Sequence, residues 1–283
     1  MKHNHRLHFV CVAWWNRQDD LEKIMNETAL HKKLNALSKL TRHWPGEPLD
    51  DRGVIRVLNP AGKRAPIVWV FNAAHEPRQF SRALGKDQPL VVLRSLNQIQ
   101  RASPSRYDTA EHLAEYYVRQ LATMLPNKVS LVGGNCQGAP IALWIANRLL
   151  DRGHDVECAA TVDARPWVEI QLPILLSFGI DWKEDDFFAG VSSDPFEVNN
   201  RFYADWRHGR LRCTHGHYFD PQHVDHLADN LRRFMRQEGC WQETLQSRLA
   251  RTLRTKAKGV FRRAGAFRVR DKILALSKSR LPD

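Results

Sequence analysis

A G-N-C-Q-G pentapeptide at residues 134–138 constrains the fold more than any other stretch of this 283-residue chain. Residues 129–133 before it have the composition of a short buried strand, and the apolar residues 139–146 after it predict a helix. A tight turn between a strand and a helix strains its central residue and leaves room only for small residues two positions away. Gly134 and Gly138 occupy those positions. The sequence therefore predicts a strand–turn–helix unit with Cys136 at the turn.

The predicted position of Cys136 affects its chemistry. At a helix N-terminus, the unpaired backbone N–H groups and the helix dipole favour a thiolate over a thiol. We therefore expect Cys136 to be a nucleophile with thiolate character. The motif alone is equally compatible with a buried cysteine in an ordinary strand-to-helix turn, because a motif this short depends on its structural context.

The surrounding segments supply an acid and two histidines in an informative order. Residues 155–163 predict the next strand, which ends in Asp163, and residues 66–75 predict an earlier strand that runs into a loop at the same end of the sheet. His215 and His217 come late in the chain, before a helix expected from about residue 222. Nucleophile, acid and histidine in this order are typical of an α/β-hydrolase triad.

The rest of the pattern predicts an α/β fold. Further strands are expected at 53–58 and 90–93, and a helix at 108–125. Apolar residues at helical spacing between residues 19 and 40 predict an amphipathic helix that packs on the core. Strands that alternate with helices indicate a mostly parallel sheet covered on both faces. The expected fold is an α/β-hydrolase fold with a short lid.

These features resemble the thioesterase domains that release acyl or peptidyl chains from carrier proteins in polyketide and nonribosomal peptide synthesis. The resemblance extends from about Val54 to about Phe234. Residues 59–66 look like the turn that opens such domains, and residues 108–117 look like the helix before their nucleophile. The spacing from Cys136 to Asp163 fits the family, and residues 214–224 match its histidine segment.

The resemblance implies a role for each site residue. Cys136 attacks an acyl carbonyl, His215 is the base, and Asp163 fixes the tautomer of the imidazole. The backbone N–H groups of Ala74 and Gln137 bind the oxyanion. No metal or cofactor is expected. His217 is an alternative base, and four further histidines are expected to shape the pocket, lie on the surface or cap helices: His75, His112, His223 and His226.

Three departures from the family bear on function. Serine is the usual nucleophile, and residues 72–75 replace a loop that is commonly rich in glycine, so the oxyanion loop is expected to differ. The short interval between acid and histidine leaves room only for a short lid. The region from Trp167 to Arg212 contains apolar residues that predict either an acyl pocket or packing against the core. They are Trp167, Leu172, Ile174, Leu175, Leu176, Phe178, Trp182, Phe187 and Phe188.

Three functions fit these residues. In a thioesterase, Cys136 accepts an acyl group from a carrier-protein or coenzyme A thioester and releases it by hydrolysis. In an acyltransferase or cyclase, the acyl group passes to an amine or hydroxyl, which a cysteine favours because the acyl-enzyme is itself a reactive thioester. The third is a non-catalytic protein that binds acyl groups or anionic surfaces, and a complete triad argues against it.

The charge distribution divides the chain into three parts. Residues 241–283 contain twelve Lys or Arg and three acidic residues, which is most of the net charge of +12. The expected organisation is an N-terminal helical extension (1–50), the hydrolase domain (51–240) and a basic amphipathic tail (241–283). Such a tail is expected to bind an acidic carrier protein or an anionic membrane surface, and nucleic acid is a less favoured partner. The alternative is a helix that covers part of the domain.

The cysteines and the apolar runs bear on location. Five cysteines without metal-ligand spacing predict neither a disulfide framework nor a zinc site, so a reducing compartment is expected, namely the cytoplasm, with peripheral attachment to the membrane as a further option. No run reaches the roughly 18 apolar residues of a membrane span. Residues 1–20 faintly resemble a secretory signal but lack a small-residue cleavage site, which favours a strand or a core-docking segment.

Overall fold

An eight-stranded mixed sheet organises the residues that the structure, a computed structural model, describes: 29–100, 105–164, 168–180 and 202–237, with only the backbone at 105–108. The strands are β1 (Glu47–Pro48), β2 (Ile55–Leu58), β3 (Ile67–Phe71), β4 (Leu90–Arg94), β5 (Lys128–Val129), β6 (Leu131–Asn135), β7 (Asp155–Val156), β8 (Ala159–Val162), β9 (Ile170–Phe178) and β10 (Tyr203–Arg210). The helices are α1 (29–41), α2 (Glu76–Leu84), α3 (Ser105–Met124), α4 (Gly138–Asp151) and α5 (Val224–Met235).

The strand order is β1-β2-β4-β3-β6-β8-β9-β10, while β5 and β7 form a separate pair. Strand β2 is antiparallel to both of its neighbours, and every other pairing in the large sheet is parallel. The carboxyl ends of β3, β6 and β8 therefore lie side by side at one edge. In open α/β sheets, this is the edge at which ligands bind.

Helices cover both faces of the sheet. The central strands β3 and β4 are buried along their whole length, which explains their continuous apolar sequence. Alternate residues of β3 belong to different cores: Val68 and Val70 pack with α1, α3 and α4, whereas Trp69 and Phe71 pack with α2 and α5. This alternation follows from the two-residue repeat of a strand. The expected parallel sheet with helices on both faces is confirmed.

Residues 29–50 pack directly against this sheet. Leu34 and Leu37 of α1 are buried in the same core as α3, and the Lys33 ammonium lies 3.2 Å from the hydroxyl of Thr109. Trp44 is buried in the opposite core, where the Arg94 guanidinium lies 4.9 Å from its ring centroid. This part of the expected N-terminal extension is thus integral to the core. Residues 1–28 and the tail at 241–283 lie outside the described residues.

The apolar residues expected in a lid or pocket divide between the sheet and the undescribed chain. Ile174, Leu175, Leu176 and Phe178 lie on β9, where they are buried in the two cores, and Leu172 packs beside them. Of the two interpretations, packing against the core is therefore correct for this group, because β9 and β10 complete the sheet in parallel register. Residues 165–167 and 181–201, which include Trp167, Trp182, Phe187 and Phe188, lie outside the described residues.

Candidate active site

Cys136 occupies a strained turn between β6 and α4. Its φ is +44°, a left-handed value that a side chain disfavours, and its backbone N–H donates to the Val162 carbonyl at 2.8 Å. A Cβ on Gly134 would lie 2.7 Å from the Gly138 carbonyl oxygen, and one on Gly138 would overlap the carbonyl oxygen of Val70. Both glycines are therefore required by close backbone approach, as the sequence predicts.

The structure brings Cys136, His215 and Asp163 together. His215 Nε2 lies 3.6 Å from Cys136 Sγ, and His215 Nδ1 lies 3.0 Å from Asp163 Oδ2. The Asp163 side chain is fully buried, and its second oxygen accepts the Gly179 N–H at 2.9 Å. The His215 side chain is 58% exposed. The carboxylate is thus held rigidly while the imidazole is open to solvent and to an incoming acceptor.

Tyr218 also contacts the sulfur, and sequence reasoning missed it. Its hydroxyl lies 2.8 Å from Cys136 Sγ, nearer than the imidazole of His215. The side chain is 1% exposed and packs edge-on against the ring of Phe219, with the centroids 5.6 Å apart. In the sequence, Tyr218 and Phe219 are two adjacent aromatic residues directly after His217, and core packing accounts for such a pair equally well.

The surroundings of Cys136 favour the thiol. Burial raises the pKa of Cys136 to about 12, and the carboxylates of Asp163 and Glu76 add to the rise, while the hydrogen bond from Tyr218 opposes it. This direction is opposite to the thiolate character expected from the helix N-terminus, since burial and two negative charges favour the protonated sulfur. A base must remove the thiol proton before the sulfur can attack.

The loop after β3 is held by a buried carboxylate. Glu76, at the start of α2, accepts the Asn72 backbone N–H at 2.8 Å and a backbone hydrogen bond from Ala73. The Asn72 side chain donates to the Asn135 carbonyl at 3.0 Å, which ties the loop to the end of β6. Burial raises the pKa of Glu76. The Glu76 side chain thus organises the loop between β3 and α2.

The two backbone groups expected to bind an oxyanion are located near this network. Ala74 is exposed in the loop, directly after the residues that Glu76 binds, and Gln137 follows Cys136 at the start of α4. Among the described residues, neither N–H group donates to a backbone carbonyl in a turn or loop. Two backbone N–H groups in such positions are what an oxyanion site requires.

The other histidines are placed elsewhere. His217 Nδ1 lies 2.8 Å from Asp220 Oδ2, and its side chain is 60% exposed. His75 and His223 precede α2 and α5 at their N-caps, and His112 is exposed on α3. Burial lowers the pKa of His226. Of the histidines in the described part of the chain, His215 is the one within 4 Å of the Cys136 sulfur.

Metal and membrane sites were also sought in the described residues. In that part of the chain, no group of three His, Cys, Asp or Glu side chains is placed to hold a metal ion. Its helices include none with the length and apolarity to cross a membrane.

The sheet order, the turn at Cys136 and the helices on both faces define an α/β-hydrolase fold. No protein-family model and no curated protein matches the chain. Among solved structures, the thioesterase domain of NocB from the nocardicin cluster aligns over 64% of this chain and 97% of its own, with 16% identity and a TM-score of 0.49. The thioesterase domain SrfTE, which cyclises the lipopeptide surfactin, aligns over 67% of this chain and 97% of its own, with 13% identity and a TM-score of 0.48.

A four-domain nonribosomal peptide synthetase aligns over 64% of this chain, with 15% identity and a TM-score of 0.50, and this chain covers 20% of its length. The resemblance to thioesterase domains of nonribosomal peptide synthesis is thus confirmed at the level of the fold.

Proposed function

We propose that this protein is a thioesterase-type enzyme that accepts an acyl group from a carrier-protein or coenzyme A thioester onto Cys136 and releases it by hydrolysis. One observation carries the proposal: an unbroken series of contacts from the sulfur through His215 to a buried Asp163, built on a strained turn between strand and helix. Backbone strain of this kind persists only where the surrounding structure enforces it, and it concentrates at active sites.

Each residue of the site has a separate task in this reaction. His215 takes the thiol proton as the sulfur attacks the acyl carbonyl, and Asp163 keeps the other ring nitrogen protonated. The N–H groups of Ala74 and Gln137 bind the oxygen of the tetrahedral intermediate. The proton then passes from His215 to the departing thiol. A water activated by His215 attacks the thioester on Cys136 and regenerates the enzyme.

Transfer to an amine or hydroxyl is the second candidate, and the identity of the nucleophile favours it. Acylation of Cys136 exchanges one thioester for another, so the acyl group stays activated, whereas serine would form a more stable oxoester. The exposed side of His215 can take the proton of an amine or hydroxyl as readily as that of water. The two reactions share every residue and differ only in the acceptor.

The carrier protein remains the proposed donor because its phosphopantetheine thioester presents the bond that this site attacks. The free cysteines of the described residues, Cys136, Cys158 and Cys213, are compatible with the reducing compartment expected from the sequence, which we propose to be the cytoplasm. The basic tail is a candidate for contact with the carrier, since carrier proteins are acidic.

Intact-mass spectrometry tests the function directly. The protein is incubated with a panel of acyl-carrier-protein and acyl-coenzyme A thioesters, with and without an added amine. We expect an acyl adduct on wild type and none on Cys136→Ala, whereas Cys136→Ser retains some hydrolysis because the hydroxyl can use the same base. Free acid as the product identifies a thioesterase, and an acylated amine identifies a transferase.

A matched substitution tests the third member of the triad. Asp163→Asn keeps the size of the side chain but can hold the wrong imidazole tautomer, so we expect turnover to fall by up to about 10⁴-fold. Full activity of Asp163→Asn would assign this task to another carboxylate. An adduct on Cys136→Ala would assign the nucleophile to another residue. The absence of both an adduct and free acid with every thioester would leave the non-catalytic binding protein as the remaining interpretation.

A further inference from the structure

The hydroxyl of Tyr218 is held beside the Cys136 sulfur by the packing of its ring. Tyr218 lies between β10 and α5, three residues after His215, and its ring stands at 88° to the imidazole with the centroids 6.1 Å apart. Its side chain is 1% exposed, and Phe219 packs against its ring. The ring therefore has little freedom, and the 2.8 Å contact between the hydroxyl and Sγ is held by the core.

The direction of this hydrogen bond follows from the protons available. The thiol has one proton, and a general base at His215 requires that this proton point toward Nε2. The sulfur can then only accept from Tyr218. Burial raises the pKa of Tyr218, and the negative charges of Asp163 and Glu76 contribute to the rise. The phenol thus stays neutral and remains a donor throughout the working pH range.

We propose that Tyr218 is a fourth catalytic residue, whose hydroxyl donates a hydrogen bond to the Cys136 sulfur and stabilises it whenever it carries negative charge. The proposal rests on the proposed function, in which the sulfur is first a nucleophile and then a leaving group. A hydrogen bond to a charged acceptor is considerably stronger than one to a neutral acceptor. The bond from Tyr218 therefore strengthens as the S–H bond breaks.

The groups that face the sulfur explain why such a donor is needed. Asp163 lies beyond β8 and Glu76 lies at the start of α2, and both carboxylates raise the pKa of Cys136. His215 balances this charge only after it has taken the proton. The hydrogen bond from Tyr218 acts in the opposite direction and lowers the pKa of Cys136. The Tyr218 hydroxyl thus stabilises the negative charge on the sulfur, which the two carboxylates destabilise.

The same hydroxyl serves both half-reactions. In acylation, the S–H bond breaks, the proton moves to His215, a new bond forms between Sγ and the acyl carbon, and the donor thiol leaves with the proton from His215. In deacylation, water or another acceptor gives its proton to His215, and the bond between the acyl carbon and Sγ breaks. The sulfur departs with the electron pair and regains its proton from His215. Charge develops on Sγ in both steps, next to the Tyr218 hydroxyl.

The first test compares Tyr218→Phe with wild type in the full-length protein. Phenylalanine keeps the ring and its packing but removes the hydroxyl. We expect both acylation of Cys136 by a thioester and its alkylation by iodoacetamide, followed by intact mass at several pH values, to slow by at least about tenfold, the factor for one lost hydrogen bond to a charged group. Tyr116→Phe removes a tyrosine hydroxyl bonded to Asp50, away from the sulfur, and should leave both rates unchanged.

A second variant separates a chemical role from a structural one. Replacement of Tyr218 by 3-fluorotyrosine keeps the hydroxyl and makes it a stronger donor, so alkylation should be faster than in wild type. A hydroxyl that only supports packing would give equal rates for tyrosine and fluorotyrosine. A rate that rises from phenylalanine through tyrosine to fluorotyrosine supports the proposal, and equal rates for tyrosine and fluorotyrosine contradict it. Equal rates for Tyr218→Phe and wild type, with melting temperatures also equal, would overturn it.

The two proposals fail in different ways. If no thioester acylates wild type, the proposed function is wrong, while the iodoacetamide series still reports whether Tyr218 activates the sulfur. If thioesters acylate wild type and Tyr218→Phe equally fast, the proposed function stands and the role of Tyr218 is wrong. If Tyr218→Phe reacts slowly but also has a much lower melting temperature, its slow reaction has two explanations. The fluorotyrosine variant then decides between them, because it leaves the packing intact.

Discussion

At Cys136, the protein combines a nucleophilic atom with surroundings that keep its proton in place. Burial, Asp163 and Glu76 all raise the pKa of the thiol, to about 12. At neutral pH, the thiolate is therefore a very small fraction, and the reactivity of the sulfur depends on the base that removes the proton during attack. This makes His215, at 3.6 Å, more important than it would be beside a preformed thiolate.

The first prediction compares the two histidines of this segment. His215→Ala removes the base from a protonated thiol, so turnover should fall by at least about a hundredfold. His217→Ala removes a ring that pairs with Asp220, and we expect a much smaller effect. Steady-state kinetics on a small thioester provide the measurement, with melting temperatures as a check on folding. The reverse ranking would transfer the role of base to His217.

Sequence reasoning reached some of these residues and missed others for identifiable reasons. Cys136 and Asp163 were found because each follows a strand, and His215 was found through chain order and a family resemblance. Tyr218 was missed because a buried aromatic residue next to Phe219 has the same sequence signature whether it packs or donates a hydrogen bond. Glu76 was missed because burial cannot be read from one acidic residue at a helix start.

Among the elements, the turn from β6 to α4 depends most strictly on residue type. Gly134 and Gly138 lie against backbone atoms that cannot move aside without shifting β3 or α4. The apolar runs of β3 and α4 and these two glycines made this unit predictable. The prediction for residues 155–163 was less accurate, because the single strand expected there is divided into β7 and β8. Between residues 167 and 212, the apolar residues fitted an acyl pocket and packing against the core equally well, and strands β9 and β10 were not predicted.

The second prediction concerns Gly138. In Gly138→Ala, the added methyl group overlaps the Val70 carbonyl oxygen, so the free energy of unfolding should fall by about 1–3 kcal/mol, as for other overpacked sites. Gly209→Ala is the matched control, because the atoms nearest to its Cβ are side-chain atoms: the Ser177 hydroxyl oxygen at 3.3 Å, with Leu175 and Asn230 at ordinary contact distances. Urea unfolding of the two variants provides the measurement. Equal stability of Gly138→Ala and wild type would mean that the turn is looser than the structure indicates.

The third prediction concerns the loop that precedes α2. Burial raises the pKa of Glu76 above its ordinary value of 4.5, so the folded protein binds the proton more tightly than the unfolded chain. The resulting stabilisation is complete below pH 4.5 and is lost as the pH rises through the folded pKa. Glu76→Gln cannot titrate. The free energy of unfolding of wild type, relative to Glu76→Gln, should therefore decrease as the pH rises from about 4 to 7.

Urea unfolding at matched pH values measures this difference, and a constant difference across the range would contradict a raised pKa at Glu76. Alkylation of Cys136 gives an independent readout, because the Glu76 carboxylate raises the pKa of the thiol. Glu76→Gln should then speed the reaction of Cys136 with iodoacetamide, provided that the melting temperature is retained.

At the scale of the whole molecule, the site exists because parallel strands deliver distant segments to one edge. Asn135 at the end of β6 pairs with Val162 at the end of β8, so Cys136 and Asp163 follow directly on neighbouring strands. Residues 211–223, after β10, carry His215 and Tyr218 back to the same edge. The architecture was predictable from the alternation of strands and helices. The distances between the side chains depend on register and twist, which a single sequence does not specify.

The last prediction concerns the basic tail, residues 241–283, which we propose recruits an acidic carrier protein without entering the chemistry. The described residues end at 237, so a chain that stops at residue 240 keeps every described residue of the sheet, its helices and the site. Turnover of a small free thioester should then be unchanged. Turnover of a carrier-bound substrate should fall, and the advantage of the full chain should shrink as salt screens charges over about 8–10 Å. Steady-state kinetics of both proteins on both substrates at two salt concentrations test this prediction. If the tail binds anionic vesicles and has no effect on the carrier-bound substrate, its partner is a membrane surface. Equal loss on the small substrate would instead make the tail part of the fold.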